Sequence, residues 1–144
     1  MERAKMNAAE IEAFLREVFP QAFSDGEIAI EAADGVTCRL RQRFHEKMLR
    51  PGGTVSGPTL MALADFAMYV VVLSAIGPVA LAVTTNLTIH FLRKGSPGHD
   101  VTAAARLLKL GKRLAVGEVN LFSGPLADPI AHVTSTYSIP NQCD

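Results

Sequence analysis

The chain has 144 residues, 49% of them hydrophobic and 19% charged, and its 14 basic and 14 acidic side chains leave a net charge of +0. That length suits a single domain over residues 1–144, and the composition argues against disorder. An even charge balance has no basic stripe of the kind that holds phosphate backbones, so no nucleic-acid partner is expected.

The N-terminal stretch mixes charges throughout and has no apolar run of the signal-peptide type. Asn7-Ala8-Ala9-Glu10 resembles a capping box, with an Asx residue in place of Ser or Thr. Ile11, Phe14, Leu15 and Val18 follow at helical spacing, which predicts a short amphipathic helix over about 8–19 that ends before Pro20. Residues 20–26 read as a turn closed by Asp25-Gly26.

Residues 27–44 read as a hairpin about Asp34-Gly35. Ile28 and Ile30 alternate with polar or small neighbours, and Cys38 and Leu40 alternate with Arg39, Arg41 and Arg43. Cys38 and Cys143 make no disulfide framework; they read as unpaired thiols, for which a cytoplasmic location is expected. Residues 45–56 read as a loop punctuated by Pro51, Gly52 and Gly53.

The next segment, SGPTLMALADFAMYVVV over 56–72, is among the most apolar in the chain. Gly57-Pro58 is a good helix start, because proline in the first turn lacks an N–H that would be unpaired anyway. The helix is expected to stop at Gly77-Pro78. Apolar residues surround it almost completely, which predicts burial on nearly every side. It is long enough on paper to cross a bilayer. Asp65 near its middle argues against that, at a cost of about 2.5–3.5 kcal/mol on insertion scales, and no basic cluster flanks it. No membrane partner is expected.

Three or four strand-like runs follow. In the first, 80–92, Val83, Leu87, Ile89 and Phe91 share one face, and Thr84, Asn86, Thr88 and His90 the other. Residues 100–109 and 114–122 are joined by Leu110-Gly111-Lys112-Arg113, and 130–139 alternates Ala131, Val133 and Tyr137 with His132, Thr134 and Ser138. The order helix, two strands, long buried helix, run of strands points to an α+β class. A helix apolar all round, beside that many antiparallel strands, implies a sheet curled about it.

With that order in place, Ser56 to Asp65 resembles the signature of the hotdog-fold acyl-CoA thioesterases of the phenylacetate-degradation (PaaI-like) type. That signature reads H-G-G, four variable residues, then L-A-D. Gly57, Leu63, Ala64 and Asp65 match four of its six fixed positions. The likeness continues through Val83-Thr84-Thr85-Asn86-Leu87-Thr88-Ile89, Phe91-Leu92-Arg93-Lys94-Gly95 and Leu108-Lys109-Leu110-Gly111-Lys112-Arg113, and covers about 27–139. Ser56 stands where the family has histidine, Pro58 where it has a second glycine, and Arg50 where it often has asparagine.

The resemblance implies a hotdog fold, a homo-oligomer built from dimers and extending to a homotetramer, and hydrolysis of an acyl-CoA thioester with no cofactor beyond the coenzyme A of the substrate. It assigns Asp65 as nucleophile or general base, the Gly57 N–H as the donor that polarises the carbonyl, and Thr84 as a polar residue that orients water.

The residues carry their own reading. Gly57 and Asp65 stand eight positions apart, about 12 Å along one helix. A carbonyl needs its oxyanion donor and its attacking group each at about 3 Å. One chain does not supply both, whereas two antiparallel helices across a twofold axis do. Asp65 has a structural alternative, as a buried acid paired with a hairpin arginine or capping a loop. Tyr69, one turn on, is core or site; Ser56 is a helix cap or a substrate contact. Arg50 pairs with Asp65, meets a CoA phosphate or is solvated. Arg93, Lys94, Lys112 and Arg113 are phosphate-binding candidates or a solvated rim. His45, His90, His99 and His132 lack metal-ligand spacing, so no metal is expected. A non-catalytic acyl-CoA-binding protein is one alternative to hydrolysis. An enoyl-thioester hydratase or dehydratase is another, although that chemistry generally uses a histidine beside the acid.

Overall fold

A computed structural model of the chain describes residues 4–23 and 27–141. Cys143 and the Asp25-Gly26 turn lie outside these residues. In chain order the elements are α1 (Ala8–Val18), a 3-10 turn (Pro20–Phe23), β1 (Ile28–Ala33), β2 (Thr37–Gln42), a 3-10 turn (Glu46–Met48), β3 (Leu49–Arg50), β4 (Thr54–Val55), α2 (Gly57–Ile76), β5 (Val83–Phe91), β6 (Val101–Leu110), β7 (Leu114–Ser123) and β8 (Ala131–Ser138). The expected loop over 45–56 therefore contains a turn and a two-stranded ribbon, in which Leu49 pairs with Val55 and Arg50 with Thr54.

The main sheet is antiparallel with strand order β1-β2-β6-β7-β8-β5. Six strands at ~4.8 Å spacing span about 24 Å when flat, more than twice the ~10 Å diameter of a helix. Yet α2 touches all six. The sheet therefore curls around the helix. Residues Phe66 to Ser74 of α2 are all buried, which leaves no polar stripe on its C-terminal half. Each large apolar side chain fully enclosed in this way is worth about 1.5–3 kcal/mol. The hydropathy of α2, high enough for a membrane span by length and composition, is spent on this core.

The ends of α2 are fixed locally. Ser56 caps its start by accepting the Thr59 N–H at 3.3 Å on its hydroxyl. Gly77, in a left-handed conformation at φ 97°, ends it and donates to Leu73 O at 2.9 Å. Ser74 Oγ donates to Val71 O and accepts the Gly35 N–H of the β1–β2 turn, while Ser74 O accepts the Lys5 N–H. One residue thus ties the N-terminal segment and the first hairpin to the far end of the helix. The β1–β2 turn is closed by Asp34, whose carboxylate accepts the Val36 and Thr37 N–H groups and is held below its ordinary range by them.

Cys38 is enclosed between β2 and α2, with its thiol donating to Ala67 O, and burial pushes its pKa to about 12.

Before the core closes, β7 must pass α2 closely. A Cβ added to Gly117 would lie 2.7 Å from Met68 Cε and Sδ and 2.8 Å from Arg106 O. Met68 could swing aside, but the backbone oxygen could not. Gly117→Ala is expected to lower stability by about 1–3 kcal/mol, the usual range for overpacking. The check is a urea midpoint taken at fixed protein concentration with an unchanged far-UV spectrum. A midpoint equal to wild type would show that β7 has slack there.

Candidate active site

Asp65 is half-buried, whereas Ala64 and Phe66 on either side of it are buried. It belongs to a stripe of Pro58, Met61, Ala62 and Asp65 that the chain's own sheet leaves uncovered, with the first three exposed. The spacing i, i+3, i+4, i+7 is one face of the N-terminal half of α2.

Two donors converge on one oxygen of this carboxylate. Thr84 Oγ1 donates to Asp65 Oδ1 at 2.5 Å, and Tyr137 Oη donates to the same atom at 2.9 Å. The Tyr137 hydroxyl also lies 3.0 Å from the Asp65 backbone oxygen. Oδ2 accepts no hydrogen bond among the described residues. Thr84 and Tyr137 are directly opposite each other on β5 and β8.

Strict alternation would have put Thr84 with Asn86, Thr88 and His90, away from Leu87, Ile89 and Phe91. The structure corrects this. A bulge between Thr84 and Asn86 inserts Thr85 into β5, so the pairing runs Thr84–Tyr137 and then Asn86–Thr136. The extra residue inverts the parity of the strand. Thr84 therefore shares the helix-facing side with Leu87, Ile89 and Phe91, and meets Asp65.

Tyr137 was not singled out from the sequence. The available signal was a tyrosine on the inward-facing register of β8, since a buried phenol usually needs a partner for its hydroxyl. It is 3% exposed, and burial, ahead of the neighbouring Asp65 charge, pushes its pKa well above the ordinary tyrosine range. It stays a neutral donor. Its ring stacks on Tyr69, with centroids 6.1 Å apart and planes at 18°. Tyr69 is buried and donates its own hydroxyl to Ala80 O at 2.8 Å. Tyr69 is thus both core and wall of the site.

Two adjoining clefts meet at this tyrosine pair. One, of about 290 Å³, has Asp65 at its polar end and Phe19, Ala22, Ile28 and Phe66 among its apolar walls. The other, of about 360 Å³, runs along Ala80 to Thr84 and shares Phe19, Tyr69 and Tyr137 with the first. No histidine lines either.

The helix start carries the other polar feature. Pro58 has no N–H, the Thr59 N–H goes to Ser56 Oγ, and the Leu60 N–H goes to Ser56 O. The Gly57 N–H is left without a partner among the described residues, at the positive end of the helix. The Phe91 ring packs against Gly57, 3.0 Å from where a Cβ would stand. Ser56 Oγ is committed to Thr59, with Thr59 Oγ1 2.8 Å away.

The remaining candidates do not form one cluster. Arg50 is exposed in β3, and the pairing with Asp65 is replaced by Thr84 and Tyr137. The hairpin arginines Arg39 and Arg41 are bound to Glu31 instead. Arg93 and Lys94 follow β5 close to Phe91 and so to the start of α2; the Arg93 guanidinium donates to Pro129 O at 2.7 Å. Lys112 lines a cleft with Ala75 and Ile76 at the other end of α2, and Arg113 is its neighbour. A helix of this length spans about 30 Å. Within one chain the two basic pairs do not reach the same phosphate.

These features have relatives. A candidate thioesterase from Silicibacter sp. TM1040 is 47% identical, with 96% of this chain and 94% of that chain covered and a TM-score of 0.87. The PaaI protein of the E. coli phenylacetic acid degradation operon is 24% identical over 91% of this chain and 96% of its own, with a TM-score of 0.75. A hypothetical thioesterase from Streptococcus pneumoniae TIGR4, solved with coenzyme A, is 20% identical over 92% and 98%, with a TM-score of 0.76. At the last two identities the likeness is one of fold. The thioesterase superfamily profile matches residues 52–129, which include the whole of α2 and the strand that brings Thr84 to Asp65. The chain therefore belongs to the thioesterase superfamily, in its hotdog fold.

Proposed function

We propose that this protein hydrolyses acyl-CoA thioesters to a free acid and coenzyme A, at sites built twice across a homodimer. The observation that carries the reading is the Asp65 carboxylate. Thr84 and Tyr137 hold Oδ1 in place, and Oδ2 is uncommitted at the edge of an apolar cleft. A fixed carboxylate with one free oxygen suits a base or nucleophile, because its orientation is set before substrate arrives.

As general base, Oδ2 takes a proton from the water that attacks the carbonyl carbon. The oxyanion that forms is held by the Gly57 N–H of the opposite subunit. Collapse breaks the C–S bond, and the departing thiolate recovers the proton from Asp65. As nucleophile, Oδ2 attacks directly, the thiolate leaves, and water then cleaves the acyl-aspartyl anhydride. Both routes use the same two groups. Ser56 serves the site by capping the helix that presents Gly57, and Thr84 by orienting Asp65 rather than through water alone. Tyr69 backs the substrate channel.

Two features support the shared site. The stripe Pro58, Met61, Ala62, Asp65 is an uncovered face that begins beside Gly57. Next to it, β5 is a nine-residue edge strand that pairs only with β8, with Val83 and Phe91 both 54% exposed. Such an open edge is ordinarily covered. A twofold partner that adds its own β5 covers the edge, the helix face and both half-sites at once. The coenzyme A bound by the Streptococcus relative supports CoA as the leaving group. Arg50, Arg93 and Lys94 at one end of α2, and Lys112 and Arg113 at the other, remain the groups available to its phosphates in the assembled oligomer.

Asp65→Asn is expected to lower thiol release from acyl-CoAs by about 10²–10⁴-fold, the range for a lost acid–base group. Gly57→Pro, which removes the N–H and crowds the Phe91 ring 3.0 Å from its Cβ position, should also be inactive while keeping the wild-type far-UV spectrum. Refolding the two inactive chains together tests the sharing. In a mixed dimer one site then recovers both native groups, so activity should return to about a quarter of wild type for random pairing. No recovery would mean that each chain carries a whole site.

Tyr137→Phe keeps the ring stack and removes one donor. The expected result is a kcat about tenfold lower with KM within about twofold, the pattern of an interaction felt in the transition state. Equal kcat would reduce Tyr137 to a packing role.

A further inference from the structure

The acyl group that this site selects can be read from the walls of the Asp65 cleft. Phe19 and Ala22 come from the end of α1 and the 3-10 turn after it, Ile28 from β1, and Ala62 and Phe66 from α2. Among the described residues, Asp65 is the one charged side chain that lines this space. Its volume of about 290 Å³ corresponds to roughly ten water volumes at about 30 Å³ each.

The walls are fixed. A reciprocal capping box, Glu10 N–H to Asn7 Oδ1 at 2.9 Å and Asn7 N–H to Glu10 Oε1 at 3.0 Å, sets the start of α1. Ile11 and Leu15 are fully buried beneath it. Phe19 and Phe23 both meet the Phe66 ring edge-on, at 6.4 and 5.9 Å between centroids. A cleft with anchored walls imposes a capacity on its guest.

We infer that the N-terminal segment, through Phe19 and Ala22, makes this cleft a selectivity pocket for compact, uncharged acyl groups of about ten non-hydrogen atoms or fewer, either a medium aliphatic chain or a single aryl ring. The inference rests on the thioester reading for its location beside the scissile carbonyl. A dicarboxylic acyl group is disfavoured, because its free carboxylate would be desolvated against Phe66 and Ile28. A long fatty chain exceeds this cleft and has to continue past Phe19 and the tyrosine pair into the open cleft along Ala80 to Thr84. Phe19, Ala22 and Ile28 all lie outside the residues 52–129 shared with the superfamily profile. Selectivity is therefore carried by a part of the chain separate from the catalytic stretch.

The experiment measures Kd by calorimetry for S-alkyl-CoA thioethers, which bind but do not hydrolyse, on the full-length protein. Octyl-CoA should bind at least about tenfold more tightly than ethyl-CoA, since burying methylenes is favourable. Hexadecyl-CoA should gain nothing over octyl, and an ω-carboxyalkyl thioether should bind no better than ethyl. Ala22→Leu should abolish the octyl gain, so that octyl-CoA and ethyl-CoA bind this variant within about twofold of one another. Phe19→Ala, at a 40% exposed position, should let longer chains gain, and stands as the second variant if Ala22→Leu does not fold. A flat thioether series, or Ala22→Leu weakening ethyl and octyl alike, overturns the pocket. Thiol release from octanoyl-CoA is measured in parallel. The chain-length pattern without thiol release leaves the pocket standing and removes the hydrolase reading. Thiol release together with a flat series does the reverse.

Discussion

A helix that is apolar on nearly every side has to be enclosed, and a single carboxylate in it has to be given partners. These two demands on α2 organise the whole molecule. The first needs a sheet that curls until all six strands touch one rod. The second needs hydroxyl groups on the concave face of that sheet, at the one place where Asp65 meets it. Aspartate is a poor helix-interior residue and is costly to bury. Among the described residues, the fold meets both costs without a counter-charge. Two neutral hydroxyls satisfy Oδ1, so the carboxylate is oriented without being neutralised by an ion pair, and its second oxygen stays available.

The N-terminal segment does more than pack. Its backbone reaches Ser74 at the end of α2, and its aromatic residues reach Phe66 one residue past Asp65. The same helix is thus held at one end by Lys5 and Met6 and walled near its middle by Phe19 and Phe23. The stretch around α2 carries Asp65 and Gly57, and Phe19, Ala22 and Ile28 wall the cleft beside Asp65.

Much of this was legible in residue patterns. The capping box at Asn7, the hairpin about Asp34-Gly35, the limits of α2 and the four long strands follow from short-range rules and match the structure to within a few residues. The resemblance around Gly57 and Asp65 named the right family and fold. What escaped were features without a periodic signature. β3 and β4 are two residues each, too short for alternation to register. Tyr137 is remote in sequence from Asp65, and only the closure of β8 onto β5 brings it near. The scatter of Arg50, Arg93, Lys94, Lys112 and Arg113 to two ends of a long helix is a property of topology, invisible to a reading that counts cations near strand ends. Thr84 was set on the wrong face, because alternation assumes an unbroken strand.

That break in β5 has a consequence for how such a site drifts and how it should be recognised. The placement of Thr84 beside Asp65 is written in the count of residues between strand partners, and not in the identity of any of them. Loss of the one extra residue would leave Asp65, Thr84 and Tyr137 in the sequence while turning the threonine away from the acid. An indel of one in this strand therefore removes a partner of Asp65, although a comparison of residue types alone would score it as a gap in an otherwise intact motif.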